Sequence, residues 1–151
     1  MKTTGRHYPD RAMQIFHSPA HTTIILQLLL SAFLAILFLQ SGFDKVVDWR
    51  TNLGWLRDHF SKSIFGVMVP ALLAILTILE LSAGLLSAVG CLLILRHHPT
   101  TIAFYGALIA ATTTLALFLG QRIAKDYTGS ATIGSYFLIA IVAIYLLGNP
   151  L

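Results

Sequence analysis

Apolar residues along the chain fall into four long blocks that are separated by short polar segments. The blocks cover residues 22–43, 66–95, 100–121 and 131–148. Each block is close to or longer than the roughly 20 residues that an α-helix needs to cross about 30 Å of hydrocarbon. Because the later connections are short, consecutive helices are expected to run antiparallel. The pattern therefore predicts an all-α integral membrane protein, a four-helix bundle with up-down-up-down topology.

Pro70 lies inside the second block, which is longer than one perpendicular span requires. Since proline fits the first turn of a helix, we expect the crossing to begin there. A basic segment at residues 1–21 precedes a single membrane domain at residues 22–151. The first apolar block is longer than the apolar region of a signal peptide and has no small-residue cleavage pattern, so we expect it to be retained as a span.

The connection between the first two blocks carries a helical pattern of its own. Its apolar residues recur at spacings of three and four, at Val46, Trp49, Leu53, Leu56 and Phe60. This spacing predicts an amphipathic helix. Two placements remain open: a helix lying in the membrane interface, anchored by Trp49 and Trp55, or a helix packed over the mouth of the bundle.

Composition agrees with the membrane assignment. Hydrophobic residues make up 56% of the chain and charged residues only 11%, whereas a soluble domain carries about 25% charged residues. The formal charge of +4 comes mainly from side chains outside the apolar blocks, where they meet lipid headgroups. We therefore expect the partners to be the lipid bilayer and other membrane protein subunits, and not nucleic acid. Lys and Arg are split four to six between the two sides, which does not set the orientation.

Glu80 is the only ionisable side chain well inside an apolar block. An acid at that depth costs a few kcal/mol unless it is neutral, paired or facing a cavity. We expect it to be mostly protonated, because the nearest cations, Lys45 and Arg122, lie closer to the surface. Glu80 is the candidate catalytic residue, as a proton-relay acid or a hydrogen-bond partner for a small polar or redox-active ligand. The alternative is a structural hydrogen bond to one of the threonines at residues 112–114.

A second group of polar residues is brought together by the topology. The first and third spans end on the same side, so their last polar residues must emerge on one face. The candidate ligand-binding residues of this face are Gln40, Ser41, Lys45, Gln121, Arg122, Asp126 and Tyr127. Headgroup contact and helix capping are the alternative account of these residues. That account fits Gln40 and Gln121 least well, because both lie inside the helix ends.

Three histidines form a rival group on the opposite side. His21 precedes the first span, and His97 and His98 follow the second, so together they could ligate a haem or a metal ion. Adjacent histidines on a helix point about 100° apart, and none of the three lies within a span. We therefore expect no metal site and no haem.

Small residues are dense along the second apolar block, at Ala83, Gly84, Ser87, Ala88 and Cys91. A stripe of this kind lets membrane helices approach closely. We interpret it as a packing surface.

Four features of the chain resemble a known family. Residues 40–49 (QSGFDKVVDW) resemble the Ser-Gly-x-x-Lys signature of the DoxX family, and Pro70 opens the second span as it does there. Residues 80–86 (ELSAGLL) resemble that family's Glu-Leu-x-x-Gly-x-x segment. Residues 120–127 (GQRIAKDY) resemble the third-helix exit in DoxX-like proteins of the Bacteroidetes type. The resemblance covers about residues 22–148.

The resemblance implies a small multi-pass protein of the bacterial inner membrane. In some relatives it is a subunit of a thiosulfate:quinone oxidoreductase or a partner in redox and thiol-stress complexes. The positions that the resemblance implicates are Ser41, Gly42, Lys45, Glu80, Gly84 and Gln121. The basic N-terminal segment departs from the family pattern, and nothing in the chain matches a sulfur-handling cysteine site.

The function expected from the residues and the resemblance is a DoxX-like membrane subunit of a quinone-linked redox or respiratory assembly. The bundle would supply a polar intramembrane pocket around Glu80, and a partner would supply the redox centre. A quinone is then the candidate ligand, and no covalent cofactor is expected. Two alternatives stay open: a small transporter or proton pathway that titrates Glu80, and a purely structural subunit of a larger membrane complex.

Overall fold

The computed structural model describes residues 19–61 and 66–149. These residues form α1 (Pro19–Val47), α2 (Trp49–His59), a single 3-10 turn (Gly66–Met68), α3 (Val69–Leu95), α4 (Thr101–Ile123) and α5 (Tyr127–Gly148). The described part of the chain contains no strand. By length and composition, α1, α3, α4 and α5 could each cross a membrane. The elements of the described residues are all helical, and the four long apolar helices indicate a multi-pass membrane protein.

The first two predicted elements have different bounds in the structure. α1 continues past residue 43 to Val47, so Val46 belongs to α1 and not to the amphipathic helix. The chain leaves the helical region at Asp48, where φ is −108° and ψ is 39°, and α2 begins at the next residue. The amphipathic segment is therefore a helix, as predicted, but a shorter one. Of the predicted N-terminal segment, only residues 19–21 lie within the described residues, where they open α1.

α3 and α5 begin at recognisable start signals. α3 starts at Val69 with Pro70 in its first turn, as expected from the sequence. α5 starts at Tyr127, earlier than the predicted residue 131, because Asp126 caps it. The Asp126 carboxylate accepts a hydrogen bond from the Gly129 amide at 2.8 Å, which satisfies a free N–H of the first turn.

Contacts between helices give their directions. Early α1 meets late α3, where Cys91 Sγ lies 3.7 Å from the Leu28 carbonyl oxygen. Early α1 also meets late α5, since Gln27 Nε2 donates to the Leu146 carbonyl at 2.8 Å. The start of α4 meets the end of α5 through Thr100 Oγ1, which donates to the Leu147 carbonyl at 2.7 Å. α1 therefore runs antiparallel to α3 and to α5, and α4 runs antiparallel to α5.

Two glycines of α3 allow its closest approaches to neighbouring helices. A Cβ at Gly84 would lie 2.7 Å from the backbone nitrogen of Leu39 on α1, and one at Gly90 would lie 2.5 Å from Cα of Ala103 on α4. Neither position could hold a larger residue without moving backbone. The predicted small-residue stripe is thus a packing surface, as expected. Its members Ala83, Gly84 and Ser87 are buried.

Candidate functional site

Glu80 is buried at the contact between α1 and α3, with 1% of its surface exposed. Ser41 and Lys45 stand one helical turn apart on α1, so both face α3. Ser41 Oγ donates to Glu80 Oε1 at 3.1 Å, and Lys45 Nζ donates to the same oxygen at 3.0 Å. Lys45 Nζ also lies 2.9 Å from Glu80 Oε2. We call these three residues the ion-pair site.

Lys45 is held tightly within this site. Besides the carboxylate, its ammonium donates to Ser41 Oγ at 2.8 Å and contacts the Ser41 carbonyl at 3.4 Å. The side chain is only 16% exposed. Our expectation that Lys45 stays near the surface, leaving Glu80 without a cation, is therefore wrong. The long aliphatic stem carries the ammonium inward from the end of α1, where the carboxylate offsets the cost of burying its charge.

The two oxygens of the carboxylate are not equivalent. Oε1 accepts aligned hydrogen bonds from Ser41 and Lys45. Oε2 touches the ammonium, yet it makes no aligned hydrogen bond within the described part of the chain. The short distance establishes the ion pair, so Oε2 is a charged neighbour of Lys45 that retains capacity to accept a hydrogen bond.

A cavity of about 210 Å³ lies beside the ion-pair site. It is lined by Leu37, Phe38, Ser41, Lys45, Glu80, Thr114, Leu117, Ile133 and Tyr136. At about 30 Å³ per water molecule, it would hold a few waters and is smaller than the roughly 300–1,000 Å³ of typical organic-ligand pockets. We call it the inner cavity. Most of its wall is apolar, but its size and the polar groups of Ser41, Lys45, Glu80 and Thr114 suit water or a very small polar molecule next to the carboxylate.

The threonines of α4 do not bind Glu80, which corrects the alternative we considered from sequence. Thr112, Thr113 and Thr114 donate to carbonyl groups one turn earlier in their own helix, at 2.9, 2.7 and 2.9 Å. This local bonding is common for hydroxyls inside helices. Thr114 lines the inner cavity, where its hydroxyl oxygen can still accept a hydrogen bond.

The other residues of the predicted polar face are dispersed. Gln40 is exposed, and as the neighbour of Ser41 it lies about 100° away from Ser41 around α1. Arg122 is exposed and lies over the Tyr127 ring, 4.8 Å from its centroid, while Asp126 caps α5. Topology does bring these helix ends to one side of the bundle. However, helix rotation separates their side chains, so only Ser41 and Lys45 of the predicted set reach Glu80.

Gln121 belongs to a second, larger cavity between α2, α3 and α4. Its Oε1 lies 3.2 Å from His59 Nε2 of α2, and this contact links the short helix to α4. The cavity has a volume of about 430 Å³. Its wall consists of Lys45, Asn52, Trp55, Leu56, His59, Phe60, Leu72, Ile75, Leu76, Leu79, Ala116, Leu117, Leu119, Gly120, Gln121 and Ile123. We call it the outer cavity; Lys45 and Leu117 line both cavities.

The histidines considered as haem or metal ligands lie at the opposite end of the bundle from Glu80. His21 is exposed in the first turn of α1, and His97 and His98 are exposed after α3. His97 adopts a φ of 58°, and the His98 amide donates to the Leu93 carbonyl at 3.0 Å, which is a Schellman ending of the helix. Among the described residues, no group of three His, Cys, Asp or Glu side chains could hold a metal ion.

Sequence reasoning missed three polar residues that the structure places at internal positions. Tyr136 lines the inner cavity, His59 lines the outer one, and Gln27 bonds across from α1 to α5. Gln27 carried a usable signal, since it is a lone amide in an apolar block. Tyr136 and His59 carried none, because tyrosine and histidine near a span end are common interfacial residues.

Comparisons of the chain with protein-family models, with curated proteins and with solved structures find no match. The resemblance to the DoxX family stays a prediction, and the site has to be interpreted from its own geometry.

Proposed function

We propose that this chain is a DoxX-like membrane subunit of a quinone-linked redox assembly in the bacterial inner membrane. The observation that carries the proposal is the buried Lys45–Glu80 ion pair beside a cavity. A partner subunit would supply the redox centre. The bundle would supply a carboxylate that exchanges protons with water in the inner cavity, at the point where a membrane-soluble carrier takes up or releases them.

Burial gives the ion pair a cost that packing alone would avoid. Replacing a buried ion pair by apolar side chains of similar volume is often neutral or stabilising. Charged residues within membrane spans commonly mark ion, proton or substrate sites. Glu80 lies eleven residues after the start of α3 at Val69, which is about 16 Å along the helix. A charged pair at that depth therefore favours a role in binding protons or a ligand.

Two further parts of the proposal concern placement in the membrane. α1, α3, α4 and α5 each cross the bilayer, with both chain termini on the same side, and α2 lies at the interface over the ends of α3 and α4. Its Trp55 is 54% exposed, which suits an interfacial anchor. Reporter fusions at residue 1 and at residue 151 should then report the same compartment, and opposite signals would refute this topology.

A proton pathway without a redox partner is the second candidate function. The same ion pair and the inner cavity favour it, because both would serve a proton relay through the bundle. Co-purification from native membranes separates the two: a redox-active partner subunit supports the first proposal, and proton flux by the isolated chain in vesicles supports the second.

The test compares Glu80→Gln with Glu80→Leu in the native membrane complex. Both variants remove the exchangeable carboxyl, so we expect both to lose proton-coupled quinone turnover by at least about tenfold, in line with the roughly 10²–10⁴-fold contribution of positioned acids and bases. Both should still assemble, because the Lys45 ammonium, unlike a buried carboxylate, can extend on its long stem toward the end of α1 when it loses its partner. Turnover is measured by quinone reduction in membranes, and assembly by co-purification.

Gln27→Leu is the matched control for this test. Gln27 is also a buried polar residue with an interhelical hydrogen bond, but it lies away from the ion-pair site. We expect it to lower stability and to keep turnover. If Glu80→Leu assembles and turns over like the wild type, the acid has no essential role and the proposal fails in favour of a structural subunit.

A further inference from the structure

The outer cavity has the size and lining of an organic-ligand site. Its volume of about 430 Å³ falls within the roughly 300–1,000 Å³ of such pockets, whereas the inner cavity is below that range. Leu72, Leu76 and Leu79 of α3 form part of an apolar wall, and polar residues are few. A mostly apolar cavity with a small number of polar groups suits a lipid-soluble molecule that has one polar end.

The charge of the cavity wall favours a neutral head. Of the described residues that line the cavity, Lys45 carries the one cationic side chain. Glu80 compensates that charge, because its Oε2 lies 2.9 Å from Lys45 Nζ. The ammonium already contacts the carboxylate and Ser41, so its N–H groups are engaged. Among the described residues that line the cavity, an anionic head would find no uncompensated cation and a cationic head would find no carboxylate.

Gln121 lines the outer cavity and carries a side-chain amide that can donate hydrogen bonds. Its Oε1 lies 3.2 Å from His59 Nε2, and because an amide oxygen can only accept, this contact is a hydrogen bond in the His59 tautomer that carries its proton on Nε2. The Gln121 amide nitrogen then has two N–H groups for which the described residues provide no partner. Trp55 stacks on the His59 ring at 4.6 Å, which fixes the ring that orients Gln121. This arrangement suits a head that accepts a hydrogen bond.

From the volume, the neutral charge and this donor, we infer that the outer cavity binds a lipid-soluble carbonyl compound, with its carbonyl at Gln121 and its apolar tail along α3. A quinone is the member of this class that the proposed function requires, and in that respect the inference rests on that function. Lys45 lines both cavities, so its ion pair with Glu80 would lie between the bound molecule and the inner cavity.

The test follows the fluorescence of Trp55 in the purified full chain. The chain has two tryptophans, so Trp49→Phe leaves Trp55 as the single emitter inside the cavity wall. Titration with a decyl-tailed benzoquinone should quench it in a saturable manner. A neutral long-chain ketone should compete for the site, and decanoate at alkaline pH should compete much less.

Matched variants separate the cavity from general partitioning into the detergent or bilayer. Leu79→Phe adds bulk inside the cavity, and we expect affinity for the benzoquinone to fall at least about fivefold. Ile78→Phe adds the same bulk at the adjacent position, which is 63% exposed, and should leave affinity unchanged. Gln121→Leu should weaken the benzoquinone and the ketone alike, by about fivefold, through loss of the donor. Ala116→Leu is a second filling variant should Leu79→Phe fail to fold.

Quenching that does not saturate, or that is equal in the two phenylalanine variants, would overturn the inference. Stronger competition by decanoate than by the ketone would also overturn it, because the head would then be an anion. These outcomes are independent of the Glu80 experiment. If the benzoquinone binds saturably but Glu80→Leu keeps turnover, the proposed function is refuted and the cavity site is not. If Glu80→Leu loses turnover but quenching does not saturate, the cavity site is refuted and the proposed function is not.

Discussion

Where α1 begins and α5 ends, the helices meet through small residues, whereas at the other end an ion pair and two cavities lie between them. At the first end, Gly90 brings α3 against the backbone of Ala103. At the second end, the contact between α1 and α3 contains Lys45 and Glu80. The bundle thus combines a close-packed end with a polar, hollow end.

This difference shows that one end of the bundle stabilises the association of the helices, whereas the other end contains the candidate site. In lipid, helices associate mainly through close van der Waals packing and interhelical hydrogen bonds. The close-packed end provides both, through Gly90 and through the Gln27 bond to α5. At the hollow end α1 and α3 also approach closely, through Gly84 and Leu39, but the cavities leave space beside that contact. We therefore expect the polar groups of the hollow end to matter mainly for function, and the contacts of the close-packed end to matter mainly for stability.

The largest expected effect comes from breaking the ion pair. Lys45→Met leaves a buried carboxylate without its cation and should lower the free energy of unfolding by about 3–5 kcal/mol, or force Glu80 to take up a proton. The double variant Lys45→Met/Glu80→Leu removes both charges and should recover most of that loss. Reversible unfolding in mixed micelles measures both.

Recovery in the double variant is the informative result. It would show that the pair is not needed for stability, in keeping with a functional site. If the double variant is as unstable as Lys45→Met alone, the ion pair itself holds α1 against α3, and the contrast between the two ends fails.

The next effect tests the close-packed end. Gly90→Ala places a Cβ about 2.5 Å from Ala103 Cα, so α3 and α4 must separate, and we expect a loss of about 1–3 kcal/mol. Gly134→Ala is the control, because a Cβ there meets nothing within 4 Å; it should stabilise the helix by up to about 1 kcal/mol. Equal effects of the two substitutions would mean that the close approach does not contribute to stability.

The sequence predicted the helices better than it predicted the site. Apolar blocks and Pro70 indicate where spans lie, because hydropathy and proline act locally. Glu80 was found because an acid in an apolar block is conspicuous. Lys45 was named as one of the nearest cations but was expected to stay closer to the surface, since whether it turns inward depends on the rotation of α1 against α3. For the same reason, sequence placed Gln40 and Gln121 in one site, whereas the structure leaves one exposed and the other in the outer cavity.

The smallest expected effect concerns Asp126, which sequence reasoning offered as a ligand-binding residue and the structure shows as a helix cap. Asp126→Ala removes the acceptor of the 2.8 Å bond from the Gly129 amide and should cost about 1 kcal/mol of stability. Asp48→Ala is the matched control, because Asp48 precedes α2 but makes no side-chain capping bond. We expect a change below about 0.5 kcal/mol there.

The same variants, assayed for quinone turnover, distinguish the two roles of Asp126. If Asp126 is only a helix cap, folded Asp126→Ala should have nearly normal turnover. A loss of turnover in the folded variant would return Asp126 to the ligand-binding residues.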